Sequence, residues 1–540
     1  MPQLERPSLP YTRFSPEENF ENLDYIIVGS GIGGLTTAVF LAKAGKKVLV
    51  LERHIQPGGF SHTFERAGFV WDVGVHYVGQ MSSENSFLRK VFDYVSDNQL
   101  DWASVGEIYD TVIIGNDQYQ FPTGEENLRK ELHKNFPKEK PAIDRYLKLS
   151  RKVSRLSGLY FAEKAFPRII SKLAGSIFRW PFLKYASRTT GDVIGQITNN
   201  KRLQAVLCAQ FGNYGLSPQH SSFGVHAIIA RHFMDGGYYP VGGASQISSS
   251  MIKCLEKHGG MIRVGADVSE ICLNLGKVNG IKIKEKFIPC PNVISNMGAS
   301  LTLDKLPASL KTKTLPFNLK NINSSTCHFC LYLGLEHNQQ EIELPRHNIW
   351  YYDHHNFNEL AKNSLKELQD PLSFAYISFP SEKDPQWQQE HPGKTTIQAI
   401  GIANYEWFKD FENQPRRQRD EGYNELKEKF KNNMLDLIGR LFPDLKNHIT
   451  HCEVSTPLST RHYMNTQHGE IYGLEHTPER MQEKSLRPET SLPGLYLVGQ
   501  DTTMVGVASA LLSALLTSST ILKFSIARHF REMHTLQARK

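Results

Sequence analysis

The chain is 540 residues long and 40% hydrophobic, enough to bury more than one core, so two or three domains are expected. Its formal charge of +7 is mild, and without a basic tract in a recognisable module it argues against nucleic acid as a partner. Seven scattered cysteines, an odd count, argue against a secreted disulfide framework and for a reducing compartment.

Residues 1–19 are dotted with proline and acid and lack an apolar core; they read as a flexible lead-in, not a secretory signal, and a cytoplasmic chain is expected. Asp24 to Val28 (DYIIV) has the β-branched run of a buried parallel strand, and Gly29-Ser30-Gly31-Ile32-Gly33-Gly34 follows at once. Gly29 permits a tight turn, Gly31 lets the backbone approach a diphosphate, and Gly34 lets the next helix pack closely on the strand. That helix is expected over Leu35–Ala44, stopped by Gly45, with the free N–H groups of its first turn facing the phosphates. A second strand, KKVLVLE, ends at Glu52, where an acid accepts ribose hydroxyls and disfavours a 2′-phosphate. A glycine-rich turn alone is weak evidence; strand, glycines, helix, strand and acid in register read as a dinucleotide cradle. Arg53 to Gly59 then adds a second glycine pair, Gly58 and Gly59, which extends backbone along a longer ligand and favours FAD.

Further along, DVGVHYVG (72–79) places His76 and Tyr77 just behind the flavin-side glycines, within reach of the ring region. Either side chain there can supply a proton or simply orient the cofactor. Glu470 and Tyr472 in HGEIYG (468–473) are second choices. Residues 163–191 interleave six Lys or Arg with aromatic and aliphatic residues and hold no acid after Glu163, a pattern that suits a membrane surface. The competing reading is a helical pair whose apolar face is ordinary core. Cys327 and Cys330 have CxxC spacing, but on an alternating strand they face opposite ways, and with no second CxxC no metal site is expected. Near the end, LYLVGQD (495–501) is a short strand and turn before 505–522, eighteen uncharged residues. Their six hydroxyl side chains favour a buried helix over a membrane span.

GYYPVGGASQ (237–246), GGMIRVGADV (259–268) and VISNMGA (293–299) resemble the third segment of the FAD domain in the phytoene-desaturase superfamily. With DVGVHYVG, QLDW (99–102), FPKEK (136–140), FPSEKDPQW (379–387), YEWF (405–408), YGLEH (472–476) and LYLVGQD, the chain resembles the retinol saturase branch, in order over nearly its whole length. The resemblance implies a strand around Val268 beside the adenine, and Gly499 and Asp501 near the ribityl chain and flavin. It implies an α/β fold: a discontinuous Rossmann-type FAD-binding domain over 20–80, 226–300 and 485–530, with a substrate-binding, membrane-facing domain over 81–225 and 301–484. The cofactor residues are then Gly29, Gly31, Ile32, Gly33, Gly34, Glu52, Arg53, Gly58, Gly59, Val268, Gly499 and Asp501. The implied activity is saturation of a carbon–carbon double bond in a hydrophobic polyene by reduced flavin. A carotenoid desaturase, a cis–trans isomerase and a flavin-binding lipid carrier without turnover remain alternatives. No second G-x-G-x-x-G stands between a strand and a helix, so NAD(P)H, as electron donor, must reach the flavin through the substrate cleft or through a partner.

Overall fold

The computed structural model describes residues 11–308, 316–336, 342–523, 529 and 531. Two sheets organise it. The first is parallel and five-stranded, in the order Met261–Val264, Val48–Glu52, Tyr25–Val28, Val293–Ser295, Leu495–Leu497. Its strands are largely apolar because both faces are covered. Ile27 and Val50 meet the helices Ile32–Lys43, Ser245–Lys257 and Val507–Leu522 on one side. Ile26, Val28, Leu49 and Leu51 meet a small antiparallel sheet through Ile271, Val278, Ile281 and Ile288 on the other.

The second sheet has seven strands, in the order Ile449–Ser455, Cys327–Glu336, Lys394–Ala403, Phe374–Ser378, Asn348–Tyr352, Ile108–Ile114, Asp117–Pro122. Here the period of two is visible. Trp350, Tyr352, Phe374 and Tyr376 face a helical layer built from Lys140–Glu163, Arg168–Ala186 and Phe223–Met234. Their neighbours Ile349, Ala375 and Ile377 pack toward Phe430, Met434 and Leu437 of the Glu421–Leu441 helix.

Several expectations change. The first ten residues of the lead-in lie outside the described residues, but Thr12 to Glu18 is not a loose arm. Phe14 and Thr12 exchange backbone hydrogen bonds with Val264 (2.9 and 3.1 Å), and Arg263 binds the Glu18 carboxylate, fixing this stretch along the sheet edge. The division at 80/81 separates the Phe87–Val95 helix from the first sheet, whose core it joins through Leu88, Val91 and Phe92. The division at 225/226 cuts the Phe223–Met234 helix, which packs on Lys140–Glu163 and so goes with the substrate-side layer. Val268 is not in a strand: Met261–Val264 ends first, at Gly265 (φ +69°), and Val268 is buried in the loop that follows.

Other expectations hold. Cys327 and Cys330 are buried on opposite faces of one strand, in separate cores. Residues 507–522 form a helix that buries Ser509, Ser513, Thr517 and Ser518, and Thr517 returns its hydroxyl to the Ser513 carbonyl at 3.0 Å. No helix among the described residues is long and apolar enough to cross a membrane.

Candidate functional site

The Tyr25–Val28 strand runs into Gly29, whose φ of +100° makes the turn that sends the chain into the Ile32–Lys43 helix. A side chain at Gly34 would collide with the Gly29 carbonyl oxygen, so this glycine brings helix and strand together as the sequence implied. The helix begins at Gly31 with no side-chain cap, leaving first-turn N–H groups for a ligand. A Cβ at Gly33 would meet the Asn296 amide at 2.8 Å and the Gly499 backbone at 3.2 Å, and one at Gly31 would displace the Asn296 amide from 2.9 Å, so the cradle is closely fitted around its glycines.

This turn forms one end of a cavity of about 620 Å³. Of the predicted cofactor residues, Gly29, Gly31, Ile32, Gly33, Glu52, Arg53, Gly58, Gly59, Val268, Gly499 and Asp501 all line it, gathered from three distant parts of the chain. Gly34 supports it from behind. His76, Tyr77, Glu470 and Tyr472 line the same cavity.

Glu52 accepts hydrogen bonds from the Ser30 N–H (2.9 Å), the Ser30 hydroxyl (2.6 Å) and the His54 N–H (2.8 Å). A carboxylate offers about four acceptor sites, so about one remains for a ribose, fewer than the pair the sequence suggested. Arg53 turns across to the carbonyls of His462 and Tyr463. Asp501 takes the backbone N–H of Ala299 (2.7 Å) and of Leu474 (3.0 Å), so it ties two loops to the floor of the site. An extended slot with a bare glycine turn, an uncapped helix and an acid one strand away fits an FAD-type dinucleotide.

Beyond the cradle the wall comes from the second sheet and its helical layer. It is largely aromatic and aliphatic, but two buried imidazole nitrogens on it, His76 Nδ1 and His328 Nδ1, lack a partner among the described residues. Burial, then the neighbouring Lys383 and His328, lowers the His76 pKa to about 3; burial lowers that of His328 to about 4. Both imidazoles are neutral at pH 7.

Tyr77 stacks on Phe233 at 4.2 Å and donates its hydroxyl to Asp110 at 2.9 Å. Asp110 is fully buried and also accepts from Gln210 (2.7 Å) and Asn348 (3.1 Å). Desolvation raises its pKa to about 6 against those hydrogen bonds. On the far side of Asn348 lies Lys383, which donates to the Asn348 side-chain amide oxygen, the Ser378 hydroxyl (2.7 Å) and the His76 backbone carbonyl (3.0 Å). Burial lowers its pKa to about 7 although Asp110 and Asp72 oppose the shift. Sequence reasoning missed Asp110, Asn348 and Lys383 because they sit on or beside strands far apart in the chain. The one signal was FPSEKDPQW, which contains Lys383 and has no generic flavoprotein purpose.

Residues 27–95 match the family model of an NAD(P)-binding Rossmann-like domain. Among solved structures, a triple mutant of putrescine oxidase superposes with a TM-score of 0.59 at 15% identity, covering 94% of this chain and 99% of that one. An all-trans-retinol 13,14-reductase from Danio rerio is 36% identical, with 93% of this chain and 86% of that protein covered. An inactive all-trans-retinol 13,14-reductase, also from Danio rerio, is 33% identical over 94% and 87%. Likeness of that strength over nearly the full length places this chain in the family of the all-trans-retinol 13,14-reductases.

Proposed function

We propose that the protein saturates a carbon–carbon double bond of a hydrophobic polyene, with FAD held between the glycine turn and the Gly499–Asp501 loop. The observation that carries this reading is one cavity joining a dinucleotide cradle to an aromatic-lined chamber. FAD supplies a hydride when bound in reduced form. The remaining work is to hold an apolar chain, exclude water and deliver one proton to the neighbouring carbon.

The proton route runs through Asp110 and Tyr77. Among the groups facing Asp110, the Gln210 and Asn348 amides and the Trp350 indole offer only N–H hydrogens, whereas the Tyr77 hydroxyl can donate and accept. Protonation of Asp110 therefore lets it donate to Tyr77 Oη and frees the phenol hydrogen to turn into the cavity. When Tyr77 releases its proton to the substrate carbon, Asp110 replaces it. Neutral His76 has an unpartnered nitrogen on the same wall and orients the substrate by a hydrogen bond.

Membrane contact is assigned to the Arg168–Ala186 helix. Ile169, Leu173, Ile177 and Trp180 are 75%, 79%, 71% and 66% exposed, while Ser171, Gly175, Phe182 and Ala186 turn inward. The apolar stripe thus faces outward, flanked by Arg168, Lys172 and Lys184, as an anionic lipid surface requires.

A 33% identical relative that is named inactive makes direct measurement of turnover essential. The test is anaerobic: protein reduced with dithionite is given all-trans-retinol or a carotenoid, and the expected product is two mass units heavier. An isomer of unchanged mass would indicate an isomerase instead, and bleaching of the oxidised flavin by a saturated isoprenoid would indicate a desaturase.

A further inference from the structure

Beside the mouth of the main cavity lies a second hollow, about 430 Å³, into which Arg53, Arg416, Arg419 and Arg461 converge with His462. Arg461 is paired with Glu412 at 2.8 Å. The other three guanidinium groups form no carboxylate pair among the described residues. Arg53 binds the His462 and Tyr463 carbonyls, Arg416 lies over the Tyr463 ring at 4.7 Å, and Arg419 reaches the Phe411 carbonyl at 3.3 Å and covers Tyr423 at 4.7 Å. Four guanidinium groups face a single carboxylate, Glu412, in this hollow, and gathering that excess of like charge in a concave site is costly unless an anion joins it. The Thr466 hydroxyl on the same wall is buried with no partner among the described residues, an independent sign of a missing polar ligand.

The hollow is continuous with the dinucleotide cavity, sharing Arg53, Leu301, Asn465 and Thr466. A ligand gripped here by its phosphates would extend toward the cofactor cleft. The volume falls within the roughly 300–1,000 Å³ of small-ligand sites, and planar forked guanidinium groups match phosphate oxygens two at a time. We propose that this arginine-lined hollow binds the phosphates of a nicotinamide dinucleotide. The inference rests on the reading of the protein as a flavin-dependent reductase, which needs a two-electron donor and whose sequence has no second glycine-rich dinucleotide turn.

The test is calorimetric, on FAD-loaded full-length protein titrated with NADP⁺, NAD⁺ and inorganic pyrophosphate. One dinucleotide is expected to bind saturably and more tightly than pyrophosphate. The double variant Arg416→Gln/Arg419→Gln should weaken it at least tenfold with flavin content unchanged, and Arg416→Lys/Arg419→Lys should recover part of the loss. No saturable dinucleotide binding, or equal binding by the glutamine variant, overturns the proposal. Equal affinity for pyrophosphate and dinucleotide reduces the hollow to a simple anion site and also overturns it. A glutamine variant that loses only phosphatidylserine vesicles would assign the arginines to lipid headgroups instead. Formation of the heavier product by dithionite-reduced protein does not depend on this hollow, so the two readings fail separately.

Discussion

Two acids are given opposite work, Glu52 on the cavity wall and Asp110 buried behind it. Glu52 is held by three donors, and Glu52→Ala removes a charged acceptor worth about 1.5–3 kcal/mol per hydrogen bond, so FAD retention should fall at least tenfold. Released flavin, measured after gel filtration, checks this; full occupancy would contradict the ribose assignment. In the proposed proton route, Asp110 acts only when protonated. With its pKa near 6, proton delivery should weaken as pH rises through that value, and the single-turnover rate of dithionite-reduced protein should fall with it. Asp110→Asn should cost about 10²–10⁴-fold in that rate and flatten the profile while flavin stays bound. A pH dependence unchanged in the variant would remove Asp110 from the route. Glu52 was legible in the sequence because a strand ending in an acid at a fixed distance from a glycine turn is a local pattern. Asp110 was not, since it becomes notable only where Tyr77, Gln210 and Asn348 converge on it from three other chain segments.

The Arg168–Ala186 helix shows how far pattern reading reaches. Its mixture of cations and apolar residues suits either a core helix or a surface one; what decides is the side that faces inward. Gly175 approaches Glu163 so closely that a Cβ would meet its carboxylate, and Glu163 in turn holds Ser171 and Arg179. The small and polar side is therefore fixed against the body and the large apolar side turned out. Replacing Leu173, Ile177 and Trp180 with Asp should release the protein from anionic vesicles by at least tenfold and leave the urea midpoint nearly unchanged, because exposed side chains contribute little to folding. A large fall in the midpoint would show that these residues pack against something in the native state. The Val507–Leu522 helix is the converse. Its hydroxyl side chains marked it as buried, and the structure uses one of them: the Ser513 hydroxyl accepts the Gly499 N–H at 2.8 Å, fixing the turn at the cofactor cleft.

Across the whole molecule, buried imidazoles set the response to acid. Burial lowers the pKa of His76 to about 3 and those of His226, His232, His328 and His347 to about 4. An unfolded histidine takes a proton near pH 6.5, so between 6.5 and about 4 the unfolded chain binds more protons and stability falls as pH falls. Asp72 and Asp110, raised to about 6, act in the opposite sense below that pH but are fewer. The urea midpoint should therefore drop clearly from pH 7 to pH 5; equal midpoints would refute the balance. His226→Gln, which removes an imidazole held between the Tyr146 and Tyr214 hydroxyls, should reduce that slope while lowering the midpoint at both pH values.

The order of strands in the parallel sheet also fixes when the cofactor can be taken up. Its middle strands come from residues 25–52, but the strand that leads into Gly499 comes last in sequence and pairs with Val293–Ser295. During synthesis the glycine turn leaves the ribosome early, facing a cleft with one wall missing. Loading must follow synthesis of the Leu495–Leu497 strand and the turn after it, and a nascent chain arrested before residue 495 should emerge colourless, whereas one carrying residues up to 522 followed by a linker long enough to clear the ribosome should bind flavin.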